Sequence, residues 1–332
     1  MRLSYFTVQD HYPSRPRSVA GVYEAVIGLA EHADALGYDT FFSAEHHFHE
    51  YGVVPNPAVL LAALAKRTSR IRLGSAIATL PFHNPINVAE AYAMVDVLSK
   101  GRLTLGVGSG YLKHEFAGYG IDGAEKRERF DEGLAVLRRL LAGETVTAQG
   151  RFSRLDGVTL NVLPIQSPVP IYVAVLNKDA LYHVGKQGND VMCVPYASVD
   201  RFEDVGTMVE SYRRGRAEGG FDPAATGLWT FHTHVADSEA ACRREAEAAF
   251  NLYVETRLYA KRQTYDDILQ SGLALFGSVD QVVDKIVRLH GMGIRHVVAL
   301  QNFGLMPQDR VRAAMELMTR EVMPRVAQRL AR

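Results

Sequence analysis

The chain has 332 residues, of which 47% are hydrophobic and 22% charged, and its 37 Lys and Arg residues balance its 37 Asp and Glu residues. This composition supports one large core and excludes intrinsic disorder, and the lack of a basic excess argues against nucleic-acid binding. Its two cysteines, Cys193 and Cys242, are too few for a disulfide framework. No stretch approaches the roughly 20 apolar residues of a membrane-spanning helix, and MRLSYFTVQD does not resemble a signal peptide, so a soluble, cytoplasmic protein is expected.

Short apolar, β-branched runs alternate with amphipathic helical segments along the whole chain. Several of the eight predicted strands are almost continuously hydrophobic, as strands covered on both faces must be. They span residues 3–8, 40–44, 71–78, 103–108, 170–175, 190–194, 228–236 and 295–301. Between them lie about eight predicted helices, and in the last of these, over 308–330, Pro324 should cause a kink. Strict alternation of strands and helices predicts one α/β domain over residues 1–332, a (β/α)₈ TIM barrel.

Two segments exceed what such a barrel needs. Residues 144–161, before the fifth strand, have the pattern of a small β-excursion. Residues 258–276 form a long connection after the seventh strand, and long connections on the functional face of a barrel often serve as lids. We therefore expect a lid over the active site.

Polar residues follow the second predicted strand, where the chemistry of TIM barrels is located. The motif EHHFH places Glu45, His46, His47 and His49 within five residues. His46 and His47 are adjacent and should point apart on an extended chain, and the ligand spacing of a metal site is missing, so no metal is expected. A histidine that titrates near neutral pH suits proton transfer, whereas a hydrogen-bonded structural role fits His47 better than His46.

Two further features, a glycine-rich motif and an arginine, are each consistent with a phosphate site or with a purely structural role. The motif GVGSGY at 106–111 follows the fourth strand and lacks the G-x-G-x-x-G spacing of a Rossmann loop. Its glycines permit a backbone phosphate loop or merely a tight turn. Arg127 lies at the start of a predicted helix, where a cation is unfavourable unless an anion binds, but Lys126 and Arg129 flank it as ordinary surface charges.

A series of motifs in a fixed order points to one family. They are AEHHFHEYG, NPAVLLA, LGSAIATLPFHNP, LSKGRLTLGVGSG, PIYVAV, GSVDQVVDKI and EVMPRV, and they cover nearly the whole chain. In these motifs and their spacing the sequence resembles the bacterial luciferase-like flavin-dependent monooxygenases.

The resemblance implies a role for several residues in flavin chemistry. His46 matches the histidine that assists catalysis beside the reduced flavin, and Glu45 matches its flavin-proximal neighbour. Ala76 and Ile77 match a pair joined by a non-proline cis peptide on which the isoalloxazine ring rests. Gly108 occupies the position of a reactive cysteine in luciferase, one that varies in the wider family.

The resemblance also implies a site for the FMN phosphate. Arg127 matches a phosphate-binding arginine, and Leu176, Asn177 and Lys178 match a loop that holds the ribityl phosphate. Ser109 departs from the pattern, because luciferase has a second phosphate-binding arginine there. Lys178 could supply the missing charge, as a point charge and not as a planar fork. Modest FMN affinity is therefore expected.

The activity implied by the resemblance is that of a two-component FMN-dependent monooxygenase. A separate flavin reductase supplies reduced FMN, which reacts with O₂ to give a flavin peroxide that oxygenates a small organic substrate. The absence of a nicotinamide-binding fingerprint agrees with an external reductase. The lid is expected to shape the substrate pocket together with Phe82, His83, Tyr111 and Met192.

The resemblance leaves other functions open and carries one prediction about assembly. A deazaflavin-dependent oxidoreductase of the same superfamily would transfer hydride without activating O₂, and its loop after the fourth strand can be similar to GVGSG. A non-catalytic flavin-binding partner subunit would not need His46, and a metal-dependent hydrolase is a more distant alternative. Residues 56–68 and 88–98 match the helices through which luciferase subunits associate, so a homodimer is expected.

Overall fold

The computed structural model describes residues 1–225, 227–256 and 262–331. Its strands are β1 Arg2–Thr7, β2 Thr40–Ser43, β3 Arg72–Thr79, β4 Leu103–Gly108, β5 Val146–Gln149, β6 Arg154–Val158, β7 Ile171–Val175, β8 Asp190–Cys193, β9 Leu228–Ala236, β10 Leu275–Ser278 and β11 His296–Asn302. Its α-helices are α1 Val19–Leu36, α2 Pro57–Arg67, α3 Pro85–Ser99, α4 Lys113–Gly118, α5 Lys126–Leu141, α6 Lys178–Lys186, α7 Pro195–Ser198, α8 Val205–Glu218, α9 Glu239–Glu255, α10 Tyr265–Ser271, α11 Val279–Gly291, α12 Gln308–Leu317 and α13 Met323–Leu330. Short 3₁₀ turns cover Leu80–Phe82, Gly123–Glu125 and Phe202–Asp204.

Eight parallel strands close into a barrel. Their order is β11, β1, β2, β3, β4, β7, β8 and β9, and pairing of β9 with β11 completes the ring. Each corresponds to one of the eight strands predicted from the sequence, so the (β/α)₈ prediction is confirmed. The helices pack around the barrel, and their apolar faces form one continuous core with the strands. Among the described helices, none has the length and apolar character needed to cross a membrane.

The segment predicted as a lid contains regular structure at its end. Residues 257–261, which include its first part, lie outside the described residues. Helix α10 follows, and then β10 pairs in parallel with β9, from Leu275 opposite Thr233 to Ser278 opposite Ala236. Strand β9 is nine residues long and pairs with β11 only through its first half, so its second half offers free backbone groups to β10. The long connection predicted over 258–276 thus includes helix α10 and ends at the start of β10.

The expected β-excursion before the fifth barrel strand is an antiparallel hairpin of β5 and β6. Glu132 of α5 fastens its turn, because the carboxylate accepts hydrogen bonds from the backbone N–H groups of Arg151, Phe152 and Ser153. The predicted final helix is interrupted by a π-helical turn over Met318–Val322, which ends two residues before Pro324. Proline lacks the N–H of a regular helix, which accounts for the interruption at this place.

Asp34 near the end of α1 anchors the chain that leads into β3. Its carboxylate accepts backbone hydrogen bonds from Ser69 at 2.9 Å, Arg70 at 2.9 Å and Ile71 at 2.6 Å, and one from the Ser69 hydroxyl at 3.1 Å. Burial acts to raise the pKa of Asp34, and these hydrogen bonds outweigh it and hold the pKa below its usual value.

Asp34→Asn is expected to lower the free energy of unfolding by about 2 kcal/mol at pH 7, because an amide is a weaker acceptor than a carboxylate. A lowered native pKa stabilises the fold above the unfolded-state pKa of about 3.9, and this contribution disappears as the pH falls through the native value. Urea unfolding at pH 7 and pH 3 measures both effects. Asp156→Asn, at an exposed position, is the control, and a loss equal to that of the control at pH 7 would contradict the prediction.

Candidate active site

A cavity opens at the carboxyl ends of the barrel strands and holds about 830 Å³ of empty space, its mouth included. Most of its lining is aliphatic or aromatic, and neither lysine nor arginine is among the described residues that form it. The polar part of the lining comprises Glu45, His46, Thr79, Glu115, Thr230 and several tyrosines. The apolar walls suit a flat organic ring system, and the carboxylates and histidine can hold or move protons.

His46 and Glu115 form a buried acid–base pair on the cavity wall. His46 follows β2, and its Nδ1 lies 3.1 Å from Oε1 of Glu115, a residue of the short helix α4. The same oxygen accepts the backbone N–H of His47 at 2.9 Å, which fixes the carboxylate in place. Because an ionised carboxylate can only accept, this contact assigns a proton to Nδ1 of His46, and in the neutral imidazole Nε2 then has the lone pair. The ring also packs edge-on against Tyr51, with 4.6 Å between ring centroids.

Glu45 lies at the centre of a second polar cluster. Its side chain is 2% exposed, and Oε1 is 2.9 Å from Nε2 of His83, 3.2 Å from Nε2 of His47 and 3.3 Å from the backbone nitrogen of Thr79. Burial acts to raise the pKa of Glu45, but the hydrogen bonds and charges of His47 and His83 outweigh it and keep the pKa below its usual value. Glu45 is thereby held as an anion beside the cavity.

The side chains of Glu45, His47 and His83 bring three metal-ligand atoms within 4.8 Å of one another. This grouping is invisible in the sequence spacing, because His83 comes from the loop after β3 and not from the EHHFH motif. Hydrogen bonds account for the grouping, since both imidazole Nε2 atoms lie at donor distance from one carboxylate oxygen. The Nδ1 of His47 has its own partner, the Tyr119 hydroxyl at 3.2 Å. Hydrogen bonds therefore link the Glu45 carboxylate to both imidazoles, and that of His47 to Tyr119.

The residues expected beneath a flavin ring lie together on one wall. Ala76 and Ile77 at the end of β3 line the cavity, and the peptide bond between them is cis. Gly108 at the end of β4 lies against Ile77, where a Cβ atom would come within 2.2 Å of the Ile77 Cδ1. A larger residue at this position would have to displace the Ile77 side chain. Gly108 is not itself among the residues that line the cavity, so its contact with the cavity is through Ile77.

The residues expected to bind phosphate are less closely associated with the cavity. Leu176 lines it, whereas Asn177 caps α6 by accepting the N–H of Asp179, and Lys178 is the exposed first residue of that helix. Ser109 is half-buried beside the cavity-lining Gly110. Arg127 does not line the cavity; its side chain is 51% exposed and pairs with Asp131 at 2.9 Å.

Sequence reasoning missed Glu115, Tyr51 and Tyr253. The tyrosines line the cavity, and their hydroxyl oxygens lie 3.0 Å apart. Tyr51 lies in the AEHHFHEYG motif but was given no role, and Glu115 and Tyr253 lie in none of the motifs, so the sequence did not identify these side chains. Of the four expected pocket residues outside the lid, Tyr111 and Met192 line the cavity, whereas Phe82 and His83 line two adjoining cavities.

Residues 1–296 match a protein family described as "Luciferase-like monooxygenase". Among curated proteins, limonene 1,2-monooxygenase of Rhodococcus erythropolis is 29% identical over 309 residues, covering 85% of this chain and 79% of that protein. The oxygenase component of flavin-dependent trigonelline monooxygenase from Acinetobacter baylyi is 25% identical over 347 residues, covering 98% and 95% of the two chains. Several relatives are thus named monooxygenases.

Solved structures agree on the fold, and one further group of relatives uses another cofactor. The crystal structure of monooxygenase RslO1 from Streptomyces bottropensis superimposes with a TM-score of 0.89 at 30% identity, covering 98% of this chain and 99% of that one. F420-dependent glucose-6-phosphate dehydrogenase of Mycobacterium avium is 32% identical over 200 residues, which cover 58% of this chain and 59% of that protein. Similarity alone therefore does not specify the cofactor.

Proposed function

Because the chain belongs to the luciferase-like monooxygenase family, we propose that it is the oxygenase component of a two-component FMN-dependent monooxygenase. In this proposal a separate reductase supplies reduced FMN, and O₂ provides the oxygen atom transferred to a small organic substrate. The relative named as a flavin-dependent oxygenase component, matched over 98% of this chain, supports it. The observation that carries it is the His46–Glu115 pair in an apolar cavity that also contains Ala76 and Ile77.

The lining of the cavity supports the proposal of a bound flavin. The isoalloxazine ring would lie against Ala76 and Ile77, and the absence of a side chain at Gly108 leaves room for that of Ile77. The ribityl phosphate would extend toward Ser109, Asn177 and Lys178. Bound reduced FMN supplies the electrons and the site of O₂ activation, and the chain supplies orientation, exclusion of water and proton transfer.

His46 is the proposed acid–base residue. Its Nε2 lone pair can accept a proton from substrate or return one, because Nδ1–H is donated to Glu115. Glu115 stabilises the charged imidazolium that forms when Nε2 is protonated. The aliphatic and aromatic lining keeps bulk water away from the reacting atoms.

The competing function is that of an F420-dependent oxidoreductase, and the similarity to F420-dependent relatives supports it. Two measurements separate the proposals: equilibrium binding of reduced FMN and of reduced F420, and product analysis with O₂ and a panel of terpenoid and aromatic substrates. The proposal expects tighter binding of FMN and incorporation of ¹⁸O from ¹⁸O₂ into product. Substrate-dependent hydride exchange with F420 and no ¹⁸O incorporation would replace it with the alternative.

Arg127 provides a prediction about the phosphate site. If its side chain leaves Asp131 to bind the FMN phosphate, Arg127→Ala should raise the dissociation constant of FMN about tenfold or more, the loss of one charge-assisted hydrogen bond. Equilibrium dialysis measures this change. Asp131→Asn is the matched control, because it frees Arg127 and should leave FMN binding equal or tighter. Unchanged affinity in Arg127→Ala would remove this residue from the proposed site.

We also infer a homodimer formed through α2 and α3, which pack side by side. Their outer faces expose Val59 by 69%, Met94 by 53% and Val97 by 41%, an apolar surface of the kind that subunit interfaces cover. Light scattering should give twice the mass of one chain, and the double variant Val59→Asp, Met94→Asp should give the mass of one. Ile165→Asp, at another exposed apolar residue, is the control. A single-chain mass for the unaltered protein would contradict the inference.

A further inference from the structure

A second cavity adjoins the candidate active site and shares one residue with it. Its lining includes Phe82, His83, Asn84 and Tyr92, and Glu45 lines both this cavity and the one that contains His46. The two cavities therefore meet at the Glu45 side chain. A group that is common to two cavities can exchange protons between them without opening a channel for water.

The side chains of Glu45 and His83 differ in their exposure to solvent. The Glu45 side chain is 2% exposed, whereas that of His83 is 27% exposed. Their hydrogen bond, 2.9 Å from Nε2 of His83 to Oε1 of Glu45, is the shortest of those that this oxygen accepts. Water can therefore reach the imidazole of His83, and the imidazole is in contact with a carboxylate that water does not reach.

The proposed reaction needs such a connection, and the inference rests on the proposed function in this respect. Oxygenation by the reduced FMN monoanion and O₂ takes up one proton, and yields oxidised FMN, oxygenated product and water. The apolar lining that protects the reaction also limits water in the cavity. A relay of side chains would deliver the proton consumed in each turnover without admitting water to the cavity.

We propose that His83 and Glu45 form a proton relay between solvent and the cavity of the candidate active site. Nδ1 of His83 takes a proton from water while its Nε2 proton passes to Oε1 of Glu45. The Glu45 carboxyl group then releases that proton into the cavity, and exchange of the imidazole tautomer in His83 restores the starting state. No electrons move, and the net change is the transfer of one proton inward.

Other charged and titratable groups face this pair and define its surroundings. His47 donates to the same oxygen of Glu45, and the Tyr119 hydroxyl contacts the other ring nitrogen of His47. The charge of Glu45 acts on Tyr92 and Tyr119, and Arg129 lines with His83 a third, outer cavity. Glu115 is committed to His46, so that pair acts on the substrate while His83 and Glu45 exchange protons with solvent.

The relay can be tested without any turnover. In protein labelled with ¹⁵N-histidine, the ring N–H of His47 that is donated to Glu45 should exchange with solvent through Glu45 and His83. His83→Phe should slow this exchange at least tenfold, and His290→Phe should not. His290 lies in the last turn of α11, which leads to the amino end of β11, opposite the end of the barrel that holds the cavity. Equal exchange rates in the two variants would overturn the relay, whatever reaction the protein catalyses.

A second experiment uses turnover with reduced FMN and O₂. His83→Ala should lower kcat about tenfold or more with little change in KM, and added imidazole should restore the rate in proportion to its protonated fraction. A purely structural role of His83 predicts no such rescue, and absence of rescue in the folded variant would overturn the relay. So would one equivalent of a divalent metal that copurifies with the protein and is lost in His83→Ala, because a metal would occupy the same nitrogen and oxygen atoms.

Discussion

His46→Ala is expected to lower the rate of substrate oxygenation by about 10²–10⁴-fold, the usual contribution of a general acid–base group. FMN affinity should change little, because the proposed ring and phosphate contacts are made by other residues. Reduced flavin and O₂ should still react in the variant, with the oxygen released as H₂O₂ and not transferred to substrate.

The role of His46 in oxygen transfer is tested by measuring product and H₂O₂ together in the same reaction. His290→Ala is the control for the removal of an imidazole, since His290 lies at the other end of the barrel. Wild-type product yield and rate in His46→Ala would show that this residue is only part of the cavity wall. Loss of FMN binding in the variant would instead assign it to the flavin site.

Replacement of Glu115 has the next largest expected effect. Glu115→Ala should lower product formation about 100-fold, because Nδ1 of His46 then loses the acceptor that fixes its orientation and tautomer. Glu115→Gln should have a smaller effect. The His47 N–H donates to the same carboxylate oxygen, so the amide oxygen of glutamine should keep this position and preserve the tautomer while the charge is lost.

The two Glu115 variants together separate charge from orientation. Rates of product formation and H₂O₂ release, with circular dichroism to check folding, are the measurements. Glu210→Gln, at an exposed residue of α8, is the control for loss of a surface carboxylate. Equal losses in the alanine and glutamine variants would show that charge alone matters, and no loss in either would separate Glu115 from catalysis.

The barrel could be predicted because each of its strands carries its own signal. A strand such as Leu103–Gly108 is buried along its whole length, so continuous apolar character marks it without knowledge of its neighbours. Strand β10 carries no such signal. It has four residues, and they form a strand because the second half of β9 extends beyond its pairing with β11 and pairs with them instead. That pairing is a property of the assembled sheet.

The same distinction explains which site residues were predicted. Glu45, His46, Ala76 and Ile77 lie in motifs at the ends of strands, and the resemblance of those motifs to the family identified them. The partner of His46 was not predicted, because Glu115 is 69 residues away in a short helix of a loop. Hydrogen bonds between distant loops depend on the closed barrel, and a single sequence contains no record of them.

The pairing of β10 with β9 has a consequence for how the substrate range of such a protein can change. Helix α9 packs against β9 and β10, and α10 packs against α9. Both ends of the connection from α9 to α10 are therefore held by packed elements. The entropy of closing such a connection rises slowly with its length, by about 0.6 kcal/mol for each doubling. Tyr253, close to the start of this connection, is part of the cavity lining. A change in the length of this connection should therefore cost the barrel little stability, and a substitution at Tyr253 would alter the lining of the cavity itself.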